Sequence, residues 1–340
     1  MSEVDFDVAA FGSWFNDATG RSADIKVERL RGGGSCEMFT LDQAGERFVI
    51  RRAPLAAVAE TAHNVVREFK VIEALTGSDV RTPELLVACD DTLVLGAPFY
   101  IMRFIDGEVI RRKLPQQYVD SPQTQPAIGE QMIDALVELH AFDWRGTAIE
   151  EMAKPDRFLE RQVERWSSQL EGYRMRELDG VDEVARWLEC NRPAAGDLTV
   201  MHGDYKIDNA IYSKDLPPRV LTLVDFEMTT VGDPLIDLAW CMIFWPEEGN
   251  LIAIAAPGSP GGMDAAYTQS PQTLVERYAD RTGRDMTHFQ WYQAFAAWKL
   301  GIVLEGSYAK YLKGESKNPS HEFFGFVVDQ LMRRAQRFAC

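Results

Sequence analysis

The segment from Val200 to Ala239 constrains this chain more than any other, because two short apolar runs each end in oxygen-bearing side chains. The first reads Val200-Met201-His202-Gly203-Asp204-Tyr205-Lys206-Ile207-Asp208-Asn209. After a hairpin-like interval the second reads Leu223-Val224-Asp225-Phe226-Glu227, followed by Gly232-Asp233-Pro234 and an apolar helix-like run. A lone His-Gly-Asp says little, since short motifs recur by chance and an Asp there also serves as a turn or cap residue. Three polar elements in this order say more. An Asp in a tight loop can hold an acceptor hydroxyl and take its proton. An Asn and a second Asp can supply the few oxygen ligands that Mg²⁺ takes from protein when phosphates and water complete its shell. That is the layout of phosphoryl transfer, in which the protein contributes mainly positioning and electrostatics. Asp204 is the candidate base, and Asn209 and Asp225 are the candidate metal ligands.

The spacing His-x-Asp-x-Lys-x-x-Asn is also that of the protein-kinase catalytic loop, with Gly203 where kinases carry Arg. On His202-Gly203-Asp204, Asn209 and Asp225-Phe226-Glu227 the chain resembles the aminoglycoside phosphotransferase and choline kinase branch of the kinase-like superfamily. The likeness is greatest to bacterial members similar to the kinase-like domains fused to acyl-CoA dehydrogenases. The resemblance implies an α+β, bilobal protein-kinase-like fold: a small lobe with a five-stranded antiparallel sheet plus a helix, and a large, mainly helical lobe. The lobes are expected to divide as residues 1–103 and 104–340. It further implies ATP or GTP as co-substrate with Mg²⁺, a small-molecule hydroxyl as acceptor, and Lys206 beside the transferred phosphate. Without the kinase Arg, the site is expected to be assembled constitutively. His202 is read as a buried brace and Asp233 as the residue that caps the next helix and holds the catalytic loop. Asp208 is read as a solvated or turn residue. Glu227 stays open between a second Mg²⁺ ligand and an acidic neighbour.

Upstream, Phe6, Val8, Phe11 and Phe15 at helical spacing predict a helix over 6–20 that packs on the small lobe. Ile25 to Leu30 reads as a strand leading into Gly32, Gly33, Gly34 and Ser35. These residues fit either a phosphate-covering loop, where side chains must not obstruct backbone N–H groups, or a plain hairpin turn. A second strand-like run continues from the glycines through Leu41, and the third strand, Arg47 to Arg52, places Arg51 and Arg52 on opposite faces of the pleat. The resemblance assigns Arg51 to the nucleotide phosphates. A helix over Glu60–Leu75 carries its partner Glu68, with Glu73 as competitor. Leu85–Ala88 and Phe99–Met102 complete the sheet, and by resemblance Met102 to Gly107 is the hinge, with backbone groups near Phe104 against the base and Met102 reading equally as core.

Downstream, helices are expected over Pro126–His140, Phe158–Leu170, Leu235–Phe244 and much of Pro271–Ala339, with a Gly/Pro/Ser-rich loop over 256–262. By resemblance, Trp245, Trp298, Glu305 and Tyr308 are candidate acceptor contacts, although aromatic residues at helical spacing are more often core. Composition narrows the partners. The chain has 36 basic against 52 acidic residues, a net charge of −16, which argues against nucleic acid or an anionic membrane and makes any phosphate site a local basic exception. Five scattered cysteines form neither a disulfide framework nor a zinc pattern, and the first residues lack signal-peptide character, so a cytoplasmic protein is expected. No apolar run is long enough to span a bilayer. Aminoglycosides, choline-like amines and hydroxyacyl thioesters remain as acceptor classes. The aromatic, carboxylate-poor C-terminal region leans away from the first. The different-class alternative is a catalytically silent nucleotide-binding module that acts through partners.

Overall fold

The computed structural model describes residues 4–30, 36–55, 59–111, 113–194, 196–246, 268–316 and 318–339, with backbone alone for 59–64. Gly32, Gly33, Gly34 and Ser35, and the 256–262 stretch, lie outside the described residues.

Five strands, β1 (Ile25–Arg29), β2 (Glu37–Gln43), β3 (Glu46–Arg52), β4 (Leu85–Cys89) and β5 (Phe99–Arg103), form an antiparallel sheet in the order β1-β2-β3-β5-β4. The fifth strand in sequence therefore lies inside the sheet and the fourth is an edge. β2 and β3 are joined by Ala44 and Gly45, both at positive φ (50° and 84°), the two-residue turn whose twist suits a hairpin. Period-two alternation divides β3 between two layers. Phe48 and Ile50 face helix α1 (Val8–Thr19), whose Phe11 and Phe15 complete a small aromatic core with Phe39, Phe99 and Ile101. Asp7 caps α1 by accepting from the N–H groups of Ala9 and Ala10, and Gly20 ends it at φ 69°. Arg52, fully buried on this face, is held by Asp5 and Glu37. Val49 and Arg51 face the other way, towards α2 (Ala59–Leu75) and the second lobe.

The short α3 (Thr92–Leu95) joins β4 to β5, and the larger lobe is helical: after the short α4 (Gln116–Val119) come α5 (Pro126–Ala141), α6 (Ala148–Met152), α7 (Glu160–Glu171) and α8 (Val181–Cys190), then α9 (Leu235–Ile243), α10 (Pro271–Thr282), α11 (Phe289–Leu312) and α12 (Phe324–Phe338). α11 is buried on nearly all sides, from Ala294 to Leu304, and forms the axis of the lobe. Gly301 lets α12 approach it, since a Cβ there would sit 2.4 Å from Met332 Cε. Two small antiparallel ladders, β6 (Thr199–Met201) with β9 (Thr230–Gly232) and β7 (Ala210–Tyr212) with β8 (Val220–Leu223), bracket the loops of Asp204 and Asp225. The lobes are tied by Arg81, which bonds Glu138 and Gln131 of α5 and the carbonyl of Val220, while paired backbone bonds between Glu108 and Tyr212 fix the segment that follows β5.

Candidate active site

β6 delivers the chain into the catalytic loop, and the carboxylate of Asp237 fixes its start. Asp237 Oδ2 accepts the N–H of His202 at 2.6 Å and Oδ1 that of Gly203 at 3.0 Å. Asp237 stands in the first turn of α9, where a carboxylate also complements the helix dipole. The sequence reading gives this anchoring to Asp233, and the structure corrects it. Asp233 does cap α9 through the Leu235 N–H, but its other oxygen accepts from the Tyr292 hydroxyl at 2.7 Å. Gly203 adopts φ 84°, and a Cβ on it would lie 2.3 Å from Met228 O, so neither Arg nor any other side chain fits there. His202 is fully buried. Its Nε2 lies 3.0 Å from Val224 O, bracing the Asp204 loop against the Asp225 loop as expected.

Three donors hold the carboxylate of Asp204. Oδ2 accepts from Lys206 Nζ at 2.6 Å and Asn209 Nδ2 at 3.2 Å, while Oδ1 accepts from Trp240 Nε1 at 2.9 Å. Asn209 Nδ2 also donates to the Asp204 carbonyl, so the amide nitrogen is committed and the amide oxygen is turned away from this loop. Burial alone would lower the pKa of Lys206, but Asp204 and Asp208 outweigh it and raise the net value. Asp208 sits in a 3-10 turn (Ile207–Asn209), one of the two settings the sequence suggested, but it is not solvated. It lines the cleft, burial pushes its pKa up, and Oδ1 is buried without a hydrogen-bond partner among the described residues.

β8 leads into Asp225, which takes the left-handed conformation (φ 69°), a strained setting that only the packing around it maintains. Its Oδ1 lies 2.6 Å from Arg51 Nη2. Arg51 in turn lies 2.7 Å, through Nε, from Glu68 Oε2; the contact is ionic rather than an aligned hydrogen bond. Glu68 Oε1 accepts the N–H of Phe226 at 3.0 Å, so α2 clamps the turn that presents Asp225. Glu73 is exposed and takes no part. Burial pushes the Glu68 carboxyl up to about 7 although Arg51 opposes it, and Asp225 and Glu227 add to the rise. Arg51 has its pKa raised, the loss of solvation being outweighed by Glu68, Tyr100 and Asp225. Glu227 stands 3.7 Å from Arg51.

Arg51, Lys206, Asp208, Asn209, Asp225 and Glu227 border one cleft of about 550 Å³ between the lobes, within the range of small-ligand sites. Met102 and Phe104 line it with Arg51 from the sheet side; Lys206, Asn209 and Asp225 line it from below. The Phe104 N–H is bonded to Arg47 O at 3.0 Å, so a hydrogen bond to a base must come from neighbouring backbone groups. Among the described residues no three His, Cys, Asp or Glu side chains gather tightly enough to hold an ion unaided. The oxygens of Asn209 and Asp225, with the orphaned oxygen of Asp208 in the same cleft, are the hard donors that suit Mg²⁺ when phosphates and water supply the other ligands.

The four candidate acceptor residues lie elsewhere. Trp298 is fully buried with its Nε1–H on Val181 O, and Trp245 is buried with its Nε1–H on Gln269 O. Glu305 is fully buried, both oxygens bonded to Arg176, whose guanidinium also lies 5.1 Å above the Tyr308 ring. None lines either large cleft, because the aromatic run of α11 faces its own lobe's core. Sequence reading missed Asp237, Trp240 and Lys299. For Asp237 a signal was present: a second Asp four residues after Asp233, in the first turn of the same helix.

Comparison with known proteins agrees with this geometry. The sequence model of the phosphotransferase enzyme family matches residues 26–285. Acyl-CoA dehydrogenase family member 11 of Gallus gallus is 30% identical over 312 residues, covering 89% of this chain but 39% of its own length. Family member 10 of Mus musculus is 26% identical over 313 residues, covering 90% of this chain and 28% of its own. The chain thus spans well under half of these relatives. Among solved structures, a putative aminoglycoside phosphotransferase from Ralstonia eutropha superposes with a TM-score of 0.81 at 26% identity, covering 98% of both chains. Macrolide 2'-phosphotransferase type I shares the fold at a TM-score of 0.62 and 18% identity, covering 96% of this chain and 98% of its own. With a bilobal kinase-like fold and a family match across most of its length, this chain belongs to the phosphotransferase enzyme family.

Proposed function

We propose that the chain transfers the γ-phosphoryl group of ATP or GTP to a hydroxyl of a small molecule in a Mg²⁺-dependent reaction. The observation that carries this reading is that Lys206, Asn209 and Asp225 line one cleft with Arg51 opposite, and that Asp204 stands behind them, bonded to Lys206 and Asn209. Asp204, fixed by three donors, orients the acceptor hydroxyl and takes its proton on a carboxylate oxygen as the new P–O bond forms and the nucleoside diphosphate leaves. Lys206 offsets charge on the transferred phosphoryl group. Arg51, steadied by Glu68, holds the α and β phosphates, and Met102 and Phe104 sandwich the base. Asn209 and Asp225 hold the cation. Mg²⁺, when bound, neutralises the β and γ oxygens.

A second cleft of about 670 Å³ adjoins the first at Glu227 and is lined by four cations, Arg67, Lys154, Arg161 and Arg165, against two carboxylates, Glu164 and Glu227. Among the described residues none of these four has a carboxylate within ion-pair distance, and burial without a counter-charge lowers the Arg67 pKa. In a chain of net charge −16 this local excess of cations favours an acceptor with an anionic group, such as a hydroxyacyl thioester, over a polycationic aminoglycoside. A small-molecule partner in the cytoplasm, rather than nucleic acid or membrane, fits the same charge balance.

The test is a kinase assay with Mg·ATP and Mg·GTP over aminoglycosides, amino alcohols and hydroxyacyl thioesters, run beside Mg·nucleotide hydrolysis. Asp204→Asn is expected to lower turnover by about 10²-fold or more while leaving nucleotide affinity within about twofold. Nucleotide binding with no turnover, unchanged in Asp204→Asn, would instead identify a silent nucleotide-binding module.

A further inference from the structure

Lys299, on α11, has its ammonium lodged between two buried indoles: 4.4 Å from the ring centroid of Trp240 on α9 and 5.1 Å from that of Trp166 on α7. Among the described residues no carboxylate reaches ion-pair distance of it. The charged groups that face it are Asp237 of α9 and Asp204 of the catalytic loop, which attract, and Arg165 of α7, which repels. Loss of solvation prevails over the two aspartates and pushes its pKa down to about 8. An aliphatic side chain would fill the same space without that electrostatic cost. Trp166 is held in the sandwich by its ring faces alone, because its Nε1–H is buried without a hydrogen-bond partner and Arg165 covers it at 5.4 Å. Trp240 differs: its Nε1–H reaches Asp204 Oδ1 at 2.9 Å, the one donor on that oxygen among the described residues. A cation over an indole face draws density from the ring and strengthens its N–H as a donor to a carboxylate.

We infer that Lys299 is a positioning residue for phosphoryl transfer: its ammonium, clamped between Trp166 and Trp240, fixes the Trp240 indole so that its N–H sets the orientation of the Asp204 carboxylate. The inference rests on Asp204 being the proton acceptor. Lys299 touches neither nucleotide nor acceptor and acts through the indole. When it loses its proton the ring is no longer polarised and Asp204 Oδ1 is held less firmly, so turnover declines on the alkaline side.

Steady-state Mg·ATP hydrolysis by the full chain, from about pH 6 to about pH 9.5, tests this in the wild type, Lys299→Met, Lys299→Arg, Trp240→Phe and the Lys299→Met/Trp240→Phe pair. Lys299→Met is expected to lower kcat about 10-fold with the KM for Mg·ATP within about twofold, and to lose the alkaline decline near pH 8. Lys299→Arg should restore neutral-pH turnover and carry the decline to higher pH. The double variant should be no slower than Trp240→Phe alone, because both act through one hydrogen bond. Wild-type kcat and an unchanged alkaline decline in Lys299→Met, or additive losses in the pair, overturn the inference. Should Lys299→Met not fold, an alkaline decline that persists in Trp240→Phe overturns it equally. Asp204→Asn separates the two levels: if it hydrolyses as the wild type does, the phosphotransfer reading fails; if it is impaired while Lys299→Met is not, only the positioning role fails.

Discussion

Glu68 is the residue through which the small lobe holds the Asp225 turn, since one oxygen meets Arg51 and the other holds the Phe226 N–H beside Asp225. Its carboxyl titrates at about 7 in the folded chain, above the ordinary 4.5, chiefly because of burial. Between those two values the folded state binds more protons than the unfolded one, so Glu68 contributes stability that is full below 4.5 and is lost as pH rises through about 7. The Tm of the wild type minus that of Glu68→Gln should therefore fall across this window and level off above it. A difference that widens with pH would show that the Arg51 contact, not burial, sets the titration. The Arg51 and Glu68 pairing was legible from the resemblance. The anchoring of the catalytic loop by Asp237 was not, because two aspartates in one helical turn look alike until the chain is folded over one of them.

At the scale of elements, strong local periodicity placed α1, α2, α5, α7 and the strands of the main sheet within a residue or two of where they lie. The hairpin after Asn209 was also anticipated. The β6–β9 ladder was not, as three-residue strands carry too few side chains to show a period. α1 makes a clear test of what the small lobe needs. Phe15 is fully buried against the sheet beside Phe48. Phe15→Ala is expected to cost about 3–5 kcal/mol in chemical denaturation, the loss of a buried aromatic plus the cavity it leaves. Because α1 packs on the face opposite the cleft, nucleotide affinity should decline only as far as the sheet itself loosens. A cost under about 1 kcal/mol would mean that α1 is not an integral part of the lobe.

For the whole molecule, the cleft is built from both lobes, and a ligand that bridges them should stabilise the chain as one unit. ATP at about 100 times its Kd is expected to add about 2.7 kcal/mol of stability, and chelating Mg²⁺ with EDTA should remove most of the thermal shift, since on the proposed reading Asn209 and Asp225 would reach the phosphates only through a cation. An equal shift with and without Mg²⁺ would remove the metal from the reading. The order of Asp204, Asn209 and Asp225 along the chain was enough to point to the phosphotransferase family, because residue types and short spacings are local properties. Tertiary structure alone decided the partners. It buried Trp298 and joined Glu305 to Arg176, 129 residues away, when they had looked like substrate contacts. It also enclosed Asp208, chose Asp237 over Asp233, and set Lys299 between two indoles from separate helices. Burial and charge pairing depend on which distant segments meet, and that is settled only when the helices pack.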